Sequence, residues 1–558
     1  MKRRIALVLA VVMLLGMFSA CGNSNSTTPN ASSGTADAAG TGVGTVYETH
    51  DAVNSTYTDN TPAADFPVTA VEDTLTIALA SEPPSLDIFQ YSDSAATLVS
   101  RVHCEGLLRR DDTTMEYEGV LAESWEHLDD TTIRFHLRDD VYFHNGEKMT
   151  AEDVLYMFQR GNELPLQSSF YDMYDLDKCK VVDDYTLDVV TYQPFPAMED
   201  FMSDPADCVL SKKAIESSTP EELVRDLNGA GTGPYKFVEW IPGERIVFER
   251  FEDYWGEKPA FKYLVFRIIT DATARTLAFE AGDVDVCISP LTTSIESLQQ
   301  NPNCDIVSCD TFTTTNIVFN CTKSPLDNKL VRQAMAYAVD VDSVVDLVFA
   351  GTGKQHDSFF TPQNGGYHPA DPEKDAPLMT YDPEKAKELL AEAGYADGFT
   401  IKIWTNESQN RIDMAEILQN SWGAIGINCE VTIMEFATLM AEYSKGEHDV
   451  IIVGFAPTGK DGQFYYPYVT SEGPFRRNYA GIRNPEIDEL MDAAMMTTDE
   501  DKRNEYYAEV IDILREEVYM IPVHNSENFY GIRSTLTGLE PNPVGLPRLA
   551  IIHPKTEA

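Results

Sequence analysis

Along most of the chain the apolar positions switch between a period of two and a period near 3.6, the marks of strands and helices in turn. Leu75, Ile77 and Leu79 alternate with polar residues, as do Ile133, Phe135 and Leu137, so both runs are expected as half-buried strands. Val154, Leu155 and Phe158 share a helical face behind Thr150-Ala151-Glu152-Asp153, which has the form of a capping box with Asp in place of Glu or Gln. Asp382 and Pro383 suit the N-cap and first residue of a helix over 384–393, and Gly394 suits its C-terminal cap. Residues 449–453 read as a strand, and Arg411 stands near the start of a helix that runs to Trp422. Tyr507, Ile511, Leu514 and Val518 form an apolar stripe at helical spacing, which is expected to pack into a core. Strands and helices interleaved in this way predict an α/β fold.

One apolar run has neither period. Ile5 to Phe18 is unbroken, follows Lys2-Arg3-Arg4, and ends in Ser19-Ala20 before Cys21. Fourteen apolar residues fall short of the ~20 that span a membrane, and the basic start and small-residue exit fit an export signal over 1–20. Phe18-Ser19-Ala20-Cys21 resembles a bacterial lipobox, which implies that Cys21 carries lipid. Residues 21–70 are dominated by Ser, Thr, Asn, Ala, Gly and Asp, a composition that cannot offset the entropy of ordering and is expected to be a flexible tether. The expected location is therefore outside the cell, held to the outer face of the cytoplasmic membrane. Gly40-Thr41-Gly42-Val43-Gly44 has no strand before it or helix after it and is no nucleotide fingerprint.

Composition narrows the function classes. The chain has 558 residues, 43% hydrophobic and 10% aromatic, enough for several cores and more than one domain. With 90 acidic against 42 basic residues the net charge is −48, which repels phosphate backbones and excludes nucleic acid as an expected partner. Cysteines 104, 179, 208, 287, 304, 309, 321 and 429 include no C-x-x-C pair or zinc spacing. Some could pair in an exported chain, with Cys304 and Cys309 closest in sequence, and free buried thiols fit equally. Gly454-Phe-Ala-Pro-Thr-Gly459-Lys460-Asp461 fits the first seven positions of a phosphate-binding loop, but Asp461 stands where a hydroxyl must meet magnesium. There is no H-E-x-x-H and no G-x-S-x-G, so neither cofactor, metal nor catalysis is expected.

A family resemblance rests on ordered blocks. Leu121-Ala-Glu-Ser-Trp125-Glu, Thr131 through Gly146 and Thr150-Ala-Glu-Asp-Val154 are followed by Gly231-Thr-Gly-Pro-Tyr235, Arg250-Phe-Glu-Asp-Tyr-Trp255-Gly, Pro325 through Asp340 and Tyr381-Asp-Pro-Glu-Lys-Ala-Lys-Glu-Leu-Leu390. Over about residues 72–545 the chain resembles family 5 extracellular solute-binding proteins, the peptide and nickel class that serves ABC importers. The resemblance implies a two-lobed, cluster C (type II) binding-protein fold with an interlobe cleft. Lobe I would comprise 71–103, 229–311 and 528–558, with an inserted subdomain at 104–228, and lobe II would comprise 312–527. It implies a non-enzymatic monomer that closes on a small solute and delivers it to a membrane permease, with short peptides the expected ligand. Oligosaccharide binding, an exported hydrolase and a sensor-linked receptor are the alternatives.

The same resemblance nominates site residues. Peptide binders commonly carry Gly-Trp-x-x-Asp, whose acid meets the peptide ammonium; here Gly454-Phe455-Ala-Pro-Thr458 puts Phe for Trp and a neutral Thr458 for the acid. Thr458 can accept a hydrogen bond but cannot neutralise a cation. Asp461, three residues on, could reach inward instead, or face water as a loop acid. Arg411 matches the position of a basic residue that meets the peptide carboxylate, or is a surface arginine paired with Glu407 or Asp413. Phe455, Tyr465, Tyr466 and Tyr468 surround the loop, either to stack on ligand or to pack the lobe.

Overall fold

The computed structural model describes residues 73–556 apart from 91–92, 165–166, 168–170, 205–206, 350–351, 444 and 474–476. The export signal, Cys21 and the tether lie outside the described residues. Two lobes share one sheet of eleven strands, and two long antiparallel strands, Cys304–Phe319 and Met520–Arg533, run through both. At one end Met520–Arg533 leads through Val286–Ile288, Thr74–Leu79, Tyr263–Ile268 and Arg245–Arg250 to Tyr235–Ile241. At the other, Cys304–Phe319 leads through Val450–Phe455 and Phe399–Asn406 to Ile427–Met434.

The ladder between the long strands is broken where it passes from one end to the other. Pairing runs from Cys304↔Arg533 to Asp310↔Glu527 and resumes at Thr314↔Asn525, so Thr311–Thr313 stand opposite Ser526 alone. A second shift follows between Thr315↔His524 and Asn316↔Pro522. Pro522 has no N–H for the ladder, which suits it to an irregular register. Extra residues on one strand bend and twist the pair, so these bulges turn the shared strands from one lobe into the other.

Val450-Ile-Ile-Val-Gly-Phe455 is almost continuously apolar because both of its faces are covered. Val450 and Ile452 join a core with Met414, Leu418 and Trp422 from the helix Gln409–Gly423. Ile451, Val453 and Phe455 point the other way, into a core with Tyr465, Tyr507 and Leu514. Tyr507, Ile511 and Leu514 are fully buried on the helix Glu500–Glu517, and Val518 ends that helix in the left-handed region at φ 49°. Burying each large apolar side chain contributes about 1.5–3 kcal/mol, so the stripe is a main support of this lobe.

The remaining expected elements form. Thr74–Leu79 and Thr132–Leu137 are strands, the latter in a four-stranded antiparallel sheet with Ala122–Asp129, Thr186–Val190 and Lys180–Asp183. Ile133, Phe135 and Leu137 are buried, while outward-facing Arg134 pairs with Asp188 across the sheet at 2.6 Å. Asp153 serves the capping box despite its short side chain, accepting the Thr150 N–H at 3.0 Å at the head of the helix Ala151–Glu163. The Asp382 carboxylate accepts the Lys385 N–H at 2.9 Å, and Gly394 takes φ 87° after the helix Pro383–Glu392.

Candidate ligand-binding site

Phe399–Asn406 and Val450–Phe455 run parallel, so their C-terminal ends lie at the same edge of the sheet, where open α/β folds bind ligands. Arg411 enters this edge from the first turn of the helix that follows Phe399–Asn406. Its Nη1 donates to Asn406 Oδ1 at 3.2 Å, and its Nη2 would lie 3.1 Å from a Cβ placed on Gly454. A glycine at 454 thus leaves room for the guanidinium, which stands beside the loop singled out from the sequence.

The surroundings of Arg411 are unusual for a cation. Among the described residues no carboxylate lies within 4 Å of it; the ion pairs considered for it are not formed, and Asp413 instead accepts from Gln409 Nε2 at 2.7 Å. Burial pulls its guanidinium below the ordinary arginine value. A cation in the first turn of a helix also opposes the helix dipole. Arg275 shows the contrast: it is buried too, but donates to the carbonyls of Ile269, Thr270, Ile288 and Ser289.

The other candidates sit deeper. Phe455 is 1% exposed, with its ring centroid 4.8 Å from Tyr468 and 5.7 Å from Tyr479. Tyr465 is fully buried, stacks on Phe360 at 4.1 Å and donates to Asn364 Oδ1 at 3.1 Å. Tyr466 donates to Asp492 Oδ1 at 2.8 Å, and the Tyr468 hydroxyl accepts from Arg477 Nη1 at 2.7 Å. Asp461 neither faces water nor presents a free carboxylate. Its Oδ1 accepts from Tyr507 at 2.6 Å and the Gln463 N–H at 2.9 Å, and its Oδ2 accepts from Arg503 Nε at 3.1 Å and Nη2 at 3.0 Å.

Thr458 lies where the segment 104–228 meets this loop. Its carbonyl accepts from Arg110 Nη1 at 2.7 Å, and the same nitrogen donates to Asp200 Oδ1 at 3.0 Å. Asp200 Oδ2 accepts the Asp461 N–H at 3.0 Å, and burial raises the Asp200 carboxyl above its ordinary value. Phe201 stacks on Phe464 at 4.9 Å beside this chain of contacts. Arg110, Asp200 and Arg503 carried no signal in the sequence, because their partners are 42 to 348 residues away. The phosphate-loop reading has no support in the geometry: a Cβ on Gly459 would collide with Phe464 and Asp200, and Lys460 lies over the Tyr117 ring at 4.6 Å.

Residues 116–476 match the family described as bacterial extracellular solute-binding proteins, family 5 Middle. The dipeptide-binding protein of Escherichia coli (strain K12) is 29% identical over 463 residues, covering 77% of this chain and 85% of that relative. Heme-binding protein A of Haemophilus influenzae is 30% identical over 462 residues, covering 77% and 83%. The structure of HbpA2 from Haemophilus parasuis matches with a TM-score of 0.79 at 26% identity, over 87% of this chain and all of that one.

Proposed function

Since the chain belongs to the bacterial extracellular solute-binding proteins of family 5, a family of transport binding proteins rather than enzymes, we propose that it captures short peptides for an ABC importer. The observation that carries the peptide reading is Arg411: a half-buried guanidinium at the C-terminal edge of the sheet that donates to the Asn406 amide oxygen and, among the described residues, has no carboxylate within 4 Å. A planar fork of this kind suits a carboxylate, and closure of the lobes would shield the pair from water. Gly454 and Thr458 would form the wall beside it, while buried Phe455, Asp461 and Tyr465 hold that wall in shape from behind. The lobes would divide at the bulges opposite Ser526, with 312–527 forming the second lobe and 104–228 the subdomain inserted in the first. A ligand touching both favours the closed form by its differential affinity, and a permease can read that form.

The monomeric protein would be exported, trimmed before Cys21 and held to the outer face of the membrane by lipid on that residue. The test is a thermal-shift series on the mature protein. Peptides of two to eight residues should raise the melting temperature, and cello- or xylo-oligosaccharides should not. The reverse result would replace the peptide reading with an oligosaccharide one.

A further inference from the structure

A cavity of about 520 Å³ lies between the segment 104–228 and the head of the helix Glu500–Glu517. Ligand pockets commonly enclose about 300–1,000 Å³, so it has room for a small molecule. The four-stranded sheet places two of its side chains. Trp125 stands opposite Phe135 and His127 opposite Ile133, so all four point to one face. Phe135 and Ile133 are buried there, whereas Ala122–Asp129 is an edge strand, and Trp125 and His127 reach past the core into the cavity. Tyr117 and Phe195 add two more rings, and Glu500 and Arg503 come from the helix across the gap.

The charge of the lining is one-sided. Asp129, Asp130, Glu199 and Glu500 stand against one arginine and one histidine. Arg503 is already spent, since Asp461 accepts from its Nε and Nη2 and the carbonyls of Thr497 and Thr498 from its Nη1. His127 answers one acid, with its Nε2 2.7 Å from Glu199 Oε1. Among the described residues Asp129 and Asp130 have no cation within 4 Å, and no cation lies over the rings of Trp125 or Phe195. Lys460 shows what suits such surroundings: its ammonium lies over the Tyr117 ring at 4.6 Å and 3.7 Å from Glu500 Oε1.

We propose that this cavity is a second ligand site, which takes a small organic cation, an ammonium carried on an apolar or aromatic body. The body would rest on Trp125 and Phe195 with the ammonium towards Asp129 and Asp130, so that ring faces and carboxylates attract it together. An anion of the same shape would meet four carboxylates. The site does not use Arg411 and stands apart from the peptide reading. Ile133 and Phe195 belong to one core and Tyr507 of the facing helix to another, so an occupant would brace the two against each other.

Calorimetric titration of the mature protein with tyramine, choline and 4-hydroxyphenylacetate tests this. Tyramine should bind at least about tenfold tighter than 4-hydroxyphenylacetate, which has the same ring and the opposite charge. Trp125→Leu, and Asp129→Asn combined with Asp130→Asn, should each weaken tyramine binding by about three- to tenfold, while Arg411→Gln leaves it unchanged. Circular dichroism checks each fold, and the two aspartates are exposed, so the second variant decides the matter if Trp125→Leu does not fold. Failure of both cations to bind, equal affinity for the anion, or full affinity in the double asparagine variant overturns the site. So does tyramine binding that is lost in Arg411→Gln, which would move the cation to the peptide site.

Discussion

Asp461→Asn separates a structural acid from one that meets ligand. The substitution keeps the shape and one acceptor oxygen but removes the charge that balances Arg503, and both residues are buried, at 8% and 7% exposure. Removing one partner of a buried ion pair costs about 3–5 kcal/mol, because the other charge is left without compensation. Three contacts soften that here: Arg503 Nη1 also donates to the carbonyls of Thr497 at 3.2 Å and Thr498 at 3.0 Å, and asparagine can still accept from Tyr507. The expected loss is about 2–4 kcal/mol. For a chain of this length that is a fall of about 2–4 °C in melting temperature, measured without ligand by scanning calorimetry. Arg503→Met should cost a similar amount, and the double variant should cost less than the sum, since each single change strands the other member. A melting temperature within 1 °C of the parent, together with a tenfold loss of peptide affinity, would refute the reasoning and give the acid back to the ligand.

Arg411→Gln should weaken peptide binding by about 1–3 kcal/mol, the cost of losing a charged hydrogen-bond partner, and unchanged affinity in a titration would return Arg411 to a structural role. Acid should destabilise the protein through its buried histidines. Burial holds His103 at about 3 and His356, His448 and His524 at about 4, below the ordinary 6.5, so the stability they give is complete above pH 6.5 and is lost as pH falls through 4. Asp207 opposes them, its carboxyl raised by burial to about 7, so its contribution is lost as pH rises from about 4 to 7. His144, also held at about 4, joins the histidines, while burial raises Asp93, Glu105, Asp153, Asp200 and Asp285 alongside Asp207; the five histidines, all held at about 4 or below, set the direction, and the melting temperature should drop between pH 6.5 and 4; a flat profile would contradict this. Cys21→Ser should move the protein from the membrane fraction to the supernatant and abolish labelling with radioactive palmitate, and retention of the label would dismiss the lipid anchor.

The regular elements were legible because each announces itself within a few residues. Alternation at 75–79 and 133–137, the Thr150–Asp153 box and the Gly394 cap are local patterns, and each formed as expected. Arg411 was legible as a candidate, but its isolation from acids was not, since Glu407 and Asp413 are close in sequence and only the direction of the side chain keeps them apart. The fate of Asp461 was illegible for the opposite reason. Its partners come from a helix 42–46 residues later and, through its backbone, from Asp200, 261 residues earlier. The aromatic cluster divided along a line that sequence does not draw: Phe455 and Tyr465 fill the core, whereas Tyr468 has a hydroxyl that reaches Arg477.

Sharing Cys304–Phe319 and Met520–Arg533 between two lobes sets the order in which the molecule can be completed. Neither half of the sheet is whole until the last forty or so residues are present, because Met520–Arg533 supplies an inner strand to one half and covers an edge in the other. Contacts between positions more than 200 apart in sequence close late and at a high entropic cost. A ribosome-bound chain is therefore left with raw sheet edges for almost the whole of synthesis. The hinge that would let the finished protein move also delays its finishing.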